Sequence, residues 1–266
     1  MVQGAPAGYL IDTRWLARHG ISRQLAYAYV RAGWLERVAH GVYRIPEPST
    51  SVRDEGRQDW RIALRSAHGL MRHALHVGGL TALALRGHEH YLRLGEELVY
   101  VHSDALPKWL KEFEVDATLV FRKRTLFATP TLAVEPWRGS AEATGHGTLP
   151  ALPVARAERA VLEAIDELPE LSFHHLDTLF EGLVHLRPTL LMDLLVACRK
   201  VQVKRLFLVF AERHDHAWRK HLDEARLDLG SGPRGFTSGG RLHPKYQITV
   251  PPDFHPDAGR EDADGA

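Results

Sequence analysis

The stretch "SRQLAYAYVRAG" places Arg23, Gln24, Tyr27 and Arg31 within a few helical turns of one another. Side chains of these types recognise nucleic acid: a guanidinium pairs in two-pronged fashion with the edge of guanine, and a carboxamide does the same with adenine. Six arginines and a single acid, Glu36, lie between Arg14 and Arg44. The whole chain carries 34 Lys+Arg against 33 Asp+Glu, for a net charge of +1, so this basicity is segregated rather than general. A local basic patch on a near-neutral chain is the electrostatic footprint of a nucleic-acid surface.

The elements that must hold these residues can be read from caps and stops. "IDTRWLARHG" predicts a short helix capped by Asp12 or Thr13 and stopped at Gly20, with Trp15 and Leu16 inward. A second helix follows, capped by Ser22, with Leu25, Tyr29 and Ala32 on the inner face and Gly33 at its end. "WLERV" and "VYRIP" then alternate around the turn "AHG", which predicts a hairpin. Two helices in a tight turn followed by a hairpin make a winged helix-turn-helix. In that arrangement Ser22, Arg23, Gln24, Tyr27 and Arg31 face outward to read bases, whereas Arg37, His40 and Arg44 on the wing hold phosphates. Trp34 and Tyr43 are expected in the core.

At 266 residues and 44% hydrophobic, the chain is long enough for two domains. The polar stretch "PEPSTSVRDEG" predicts a boundary near residue 50. After it, "WRIALRSAHGLM" and "TALALRG" read as helices, and "LHVGG", "ELVYVH", "ATLVFR" and "TLAVEPW" as strands. "GSAEATGHGTLPALP" reads as a loop, the segments from "ARAERAVLEAIDEL" to "VKRLFLVFAERH" as helices, and "KYQITVP" as a last strand. The expected class is therefore α+β: a winged helix over 1–50, a larger mixed domain with a helical C-terminal half over 51–256, and a disordered acidic tail over 257–266. The lone Cys198 cannot form an internal disulfide, and nothing at the start reads as a signal peptide, so a reducing cytoplasm is expected. The longest apolar run, "TLLMDLLVAC", is too short to span a bilayer.

Other chemistries are poorly served. "GSGPRG" fits the spacing of a dinucleotide loop, but Pro233 and "FTSGG" follow where a helix should begin. It reads instead as a Gly-rich turn whose backbone and Arg234 could meet a partner. "HEH" and "HDH" lack further ligands at metal-binding spacing, and His76 in "LHVGG" reads as a core residue; no metal or cofactor is expected. A winged-helix nuclease would need two acids and a lysine around metal ions, and Lys123 with Asp104, Asp116 and Glu135 shows no such order. Cys198 sits in an apolar segment without the surroundings of a nucleophile.

Four ordered blocks carry a family resemblance: "WLARHGISRQLAYAYVRAGWLERVAHGVYR", "LHVGGLTALALRGHEHYL", "LPVARAERAVLEAIDELPE" and "VKRLFLVFAERHDHAWRKHLDEARLDLGSGPRGFTSGGRLHPKYQITVP". From about Thr13 to Pro252 the chain resembles the AbiEi antitoxins. The resemblance implies a type IV toxin–antitoxin, or abortive-infection, regulator that is not an enzyme. Its winged helix would repress its own promoter at inverted repeats in double-stranded DNA, and its C-terminal domain would counter a nucleotidyltransferase toxin, directly or indirectly, with no membrane role. The family's additional first helix would have to come from "MVQGAPAGYLID". Arg205 and Arg213, off the apolar face marked by Val203, Phe207 and Phe210, together with Arg234, are the expected antitoxin surface. A regulator without a toxin partner remains the alternative.

Overall fold

The computed structural model describes residues 4–46, 57–88, 97–139, 150–168, 172–235 and 239–257. The expected linker around residue 50, most of the "HEH" triplet, the greater part of the glycine-rich loop after residue 139 and the acidic tail lie outside the described residues. By internal contacts the chain forms two compact units. One contains Met1–Val77, Arg93–Lys123 and Glu135–Val154; the other contains Gly78–Leu92, Arg124–Val134 and Ala155–Ala266.

The first unit opens with strand β1 (Leu10–Asp12), helix α1 (Thr13–Arg18), helix α2 (Arg23–Arg31), and the hairpin β2 (Glu36–Ala39) and β3 (Val42–Arg44). The caps are those the sequence predicts: Asp12 accepts from the Trp15 N–H and Ser22 from the Leu25 N–H. Gly41 closes the hairpin with φ of 71°, a conformation that favours glycine. In place of the additional helix, β1 pairs antiparallel with β3, Ile11 opposite Tyr43, so that β3 is central and β1 and β2 are the edges of a three-stranded sheet. Tyr9, Ile11, Trp15, Leu16, Ala26 and Leu35 form the core of this region together with Leu70, and Ile62 packs against it. Elements beyond residue 57 therefore complete the packing of the N-terminal helices. The Leu10 N–H likewise donates to Ser66 Oγ at 2.9 Å.

Those elements are α3 (Trp60–Arg65), continued by a π-helical turn over Ser66–Leu70, and a five-stranded sheet. Its strands are β4 (Leu75–Val77), β5 (Leu98–Ser103), β6 (Thr118–Arg122), β7 (Val134–Trp137) and β8 (Leu152–Ala155), in the order β6-β5-β4-β8-β7. β4 runs antiparallel to β5 and parallel to β8, and β5 is parallel to β6. The sequence reading missed β8, a fully buried apolar strand that merges into the following helix. The short α5 (Lys108–Glu112) lies between β5 and β6 in the chain.

The second unit is mainly helical: α4 (Gly79–Leu85), α6 (Ala157–Asp166), α7 (Phe173–Gly182), α8 (Pro188–Ala197) and α9 (Val201–His214), with the two-residue strands β9 (Arg241–Leu242) and β10 (Thr249–Val250) paired antiparallel. The apolar residues Ala160, Val161, Leu162, Ala164 and Ile165 of α6 are buried, as are Glu158, Arg159 and Glu163. Charges survive burial only when paired and hydrogen-bonded. Arg159 meets this condition by bonding Glu163 at 2.6 Å and the Leu132 carbonyl at 2.7 Å, with its guanidinium 4.5 Å from the centre of the Phe127 ring. Glu163 also accepts from the Gly79 N–H.

Glu158 joins Arg187 through two side-chain hydrogen bonds, of 2.9 and 3.0 Å, and also accepts from its backbone N–H. Burial acts to raise the Glu158 carboxyl, but the Arg187 bonds outweigh it and hold the pKa below its ordinary value of 4.5. A depressed carboxylate contributes stability above the unfolded-state pKa and loses it as pH falls through the folded-state value. Glu158→Gln should therefore cost about 1 kcal/mol at pH 7, modest because Arg187 is half exposed. Urea midpoints of variant and parent should converge as the pH falls through the folded-state pKa; a gap that stays the same from pH 7 to strongly acid pH would contradict this linkage. The buried Cys198 thiol is pushed up to about 11, chiefly by burial, which makes it a structural residue rather than a nucleophile.

Candidate nucleic-acid interface

Helix α2 owes its placement to one small residue. Ala26 is 1% exposed and seats the helix on the core, with Tyr29 and Val30 packed beside it. With 3.6 residues per turn, Gln24, Ala28 and Arg31 point away from Ala26, and Leu25 and Tyr27 flank them. Arg23, Gln24, Tyr27 and Arg31 are all exposed, as the sequence predicts. Ser22 is exposed too, but its hydroxyl oxygen is occupied as the helix cap.

Four expectations need correction here. Ala32, expected on the inner face, is exposed at the C-terminal cap of α2. Leu25 was expected inward and is 39% exposed, because the short Ala26 rather than Leu25 occupies the contact with the core. Trp34 was expected in the core and is 55% exposed; its ring leans on Tyr29 at 5.2 Å. Arg44 was expected to face phosphate. Instead it bonds Glu36 through Nε at 2.7 Å and through a terminal nitrogen at 2.5 Å, and also reaches Gln58. The register pairs Glu36 with Arg44 directly across the hairpin, so the one acid in the basic segment neutralises this arginine. Tyr43, by contrast, packs against the core.

On the edge strand β2, Arg37 and the turn residue His40 are exposed, with 3.3 Å between an Arg37 terminal nitrogen and His40 Nδ1. The first unit thus presents the outer side of α2 and the tip of the hairpin, where Arg23, Arg31 and Arg37 are exposed. Arg14 on α1 is exposed as well.

In the second unit the three expected surface arginines have different fates. Arg205 is 3% exposed, and its guanidinium donates to the carbonyls of Leu229, Gly230, Gly232 and Gln247 at 2.7–3.2 Å. It is therefore not a surface residue, because the "GSGPRG" segment folds over it. Gly230 gives that segment a φ of 63°. Burial and the neighbouring Arg234 charge lower the Arg205 pKa. Arg213 is half exposed, bonded to Asp177 and to the Asp253 carbonyl, and lies over the Phe254 ring at 4.8 Å. It borders a cleft of about 650 Å³, also lined by Arg241, His243 and His255. Arg234 is exposed, with its backbone bridged to Ile248.

The competing sites fare as follows. His214 bonds Asp177 at 2.7 Å and His216 the Phe180 carbonyl at 2.6 Å, both structural contacts. His76 is buried on β4 and stacks on His102 at 4.9 Å. Lys123 follows β6 and Glu135 lies on β7, the two opposite edges of the sheet and about 19 Å apart at four strand spacings. Asp116 precedes β6, at the end away from Lys123, and accepts from the Trp60 N–H. Asp104 follows β5 at the same end of the sheet as Lys123, but Asp116 and Glu135 lie away from it, so the sheet does not gather two acids of this set around the lysine. No described helix is long and apolar enough to cross a membrane.

Among solved structures, the crystal structure of the RV2827C protein from Mycobacterium tuberculosis aligns with a TM-score of 0.57 at 18% identity, covering 90% of this chain and 85% of that one. At that identity the likeness is one of fold. No curated protein matches. The family described as "Transcriptional regulator, AbiEi antitoxin, Type IV TA system" matches residues 96–251, and the one described as "Transcriptional regulator, AbiEi antitoxin N-terminal domain" matches residues 1–94. With the two matches covering nearly the whole sequence, this chain belongs to the AbiEi family of antitoxin transcriptional regulators.

Proposed function

We propose that the chain binds duplex DNA at its own promoter through a winged helix-turn-helix and counteracts a nucleotidyltransferase toxin encoded beside it. The observation that carries the first part is the exposed side of α2: Gln24, Tyr27 and Arg31 exposed together, with Arg23 exposed at the first turn, on a helix capped by Ser22 and anchored by Ala26. In this reading the N-terminal part of α2 enters the major groove and Arg37 and His40 on the hairpin meet phosphate. Inverted repeats would be engaged by two copies, and the work would take place in the cytoplasm. The antitoxin role falls to the remainder of the chain, with the exposed Arg213 and Arg234 as its candidate contact residues. No reaction or cofactor is assigned.

The two activities should separate. The combined variant Arg23→Ala, Gln24→Ala, Arg31→Ala changes only exposed positions, so stability should stay within about 0.5 kcal/mol for each. A reporter driven by the upstream DNA should be derepressed to the level seen without the protein, while cells expressing the neighbouring toxin should still be rescued. Loss of rescue in the triple variant, or full repression by it, would refute this division of labour.

A further inference from the structure

Residues 25–34 contain Leu25, Tyr27 and Trp34, three of the seven exposed large hydrophobic residues among those described. Leu25 and Tyr27 stand on α2 itself, on either side of the line formed by Gln24, Ala28 and Arg31. Trp34 lies past the C-terminal end of the helix and leans on Tyr29. The reading face of α2 is therefore apolar as well as basic. Water is a poor environment for this combination, and so is an uncharged protein surface. It matches a surface that is anionic at its rim and carries methyl groups on its floor.

The major groove of an A·T-containing duplex is such a surface. Phosphates line its edges, adenine offers a donor and an acceptor to a carboxamide, and thymine projects a C5 methyl group that side chains can cover. We propose that α2 selects A·T pairs, with Gln24 pairing with adenine and Leu25, Tyr27 and the small Ala28 covering thymine methyls. Ala28 matters because its single methyl lets the helix approach the floor of the groove between the longer side chains. Charge complementarity favours DNA as the occupant: Arg23 and Arg31 lie on the same helix, Arg37 is exposed nearby in the chain, and the segment's one acid, Glu36, is held by Arg44. A second copy of the chain would bring these arginines against one another.

The inference rests on the DNA-binding reading above, and its test keeps the two apart. Fluorescence anisotropy with the full chain would compare the duplex immediately upstream of the coding region, the same duplex with deoxyuridine replacing every thymidine, and a scrambled duplex. Uracil pairs as thymine does and lacks only the methyl. Burial of one such group is worth about fourfold in affinity, so covering two methyls predicts a loss of roughly tenfold or more on the uracil duplex. The Leu25→Ala, Tyr27→Ala variant should bind the thymine duplex more weakly and discriminate less between the two. Tight specific binding by the parent chain with equal affinity for both duplexes would overturn the proposal and leave DNA binding standing. Equal affinity for upstream and scrambled DNA would overturn DNA recognition and the proposal with it. A variant of lower solution mass than the parent, with the parent indifferent to the uracil substitution, would assign the apolar face to self-association instead.

Discussion

Arg205→Ala is expected to destabilise the second compact unit by about 3 kcal/mol or more, in the tail of single-substitution effects. The buried guanidinium donates to four backbone carbonyls, those of Leu229, Gly230, Gly232 and Gln247, and truncation removes these bonds from partly buried acceptors, of which the Gln247 oxygen retains the Arg234 N–H. Arg205→Lys should recover only a minor part, since an ammonium group on a flexible stem lacks the planar fork that reaches several acceptors. The measurement is urea unfolding of the parent and both variants, with limited proteolysis to locate cleavage near residues 229–235. An alanine variant within 0.5 kcal/mol of the parent would mean that the loop holds its shape without the arginine.

Arg205 also shows where sequence pattern stops being informative. On α9 the spacing of Val203, Phe207 and Phe210 marks an inner face and leaves Arg205 off it. Every residue from Val203 to Ala211 is nevertheless buried, because α6 and α7 pack on the helix from one side and later chain, around Leu229–Gly232, Gln247 and Phe254, covers it from another. Periodicity distinguishes faces only when one of them meets water. Asp12, Ser22 and Gly41, by contrast, were legible because caps and turns are set by a few consecutive residues. Leu25 and Ala26 fall between these cases. Both can face a core, and only the packing of α2 on Trp15, Leu16 and Leu35 decides for the smaller one. Pairing across the hairpin is likewise a matter of register. Residue types alone leave Arg37 and Arg44 equivalent, whereas the register binds Arg44 to Glu36 and leaves Arg37 exposed.

The second large effect follows from that distinction. Arg23→Ala and Gln24→Ala should each cost about 1–3 kcal/mol on the specific site, so if additive they together lose about thirtyfold to roughly twenty-thousandfold in affinity. Binding to unrelated DNA should change much less for Gln24, which carries no charge. Arg37→Ala should instead weaken specific and unrelated DNA alike and lower the slope of log affinity against log salt by about one unit. Arg44→Ala should leave that slope unchanged, because its charge is already neutralised by Glu36. Titrations of the four variants on both duplexes at several salt concentrations separate these outcomes. Equal losses on both duplexes for all four would remove the assignment of reading to α2 and holding to the hairpin.

The most direct test of the central claim is the affinity of the full chain for the duplex immediately upstream of its own coding region, measured against a scrambled duplex of equal length and composition. At near-physiological salt the account predicts a specific complex at least a thousandfold tighter than the scrambled one, with an affinity that falls linearly on a log–log plot as salt is raised. The same affinity for both duplexes across the salt range would contradict it.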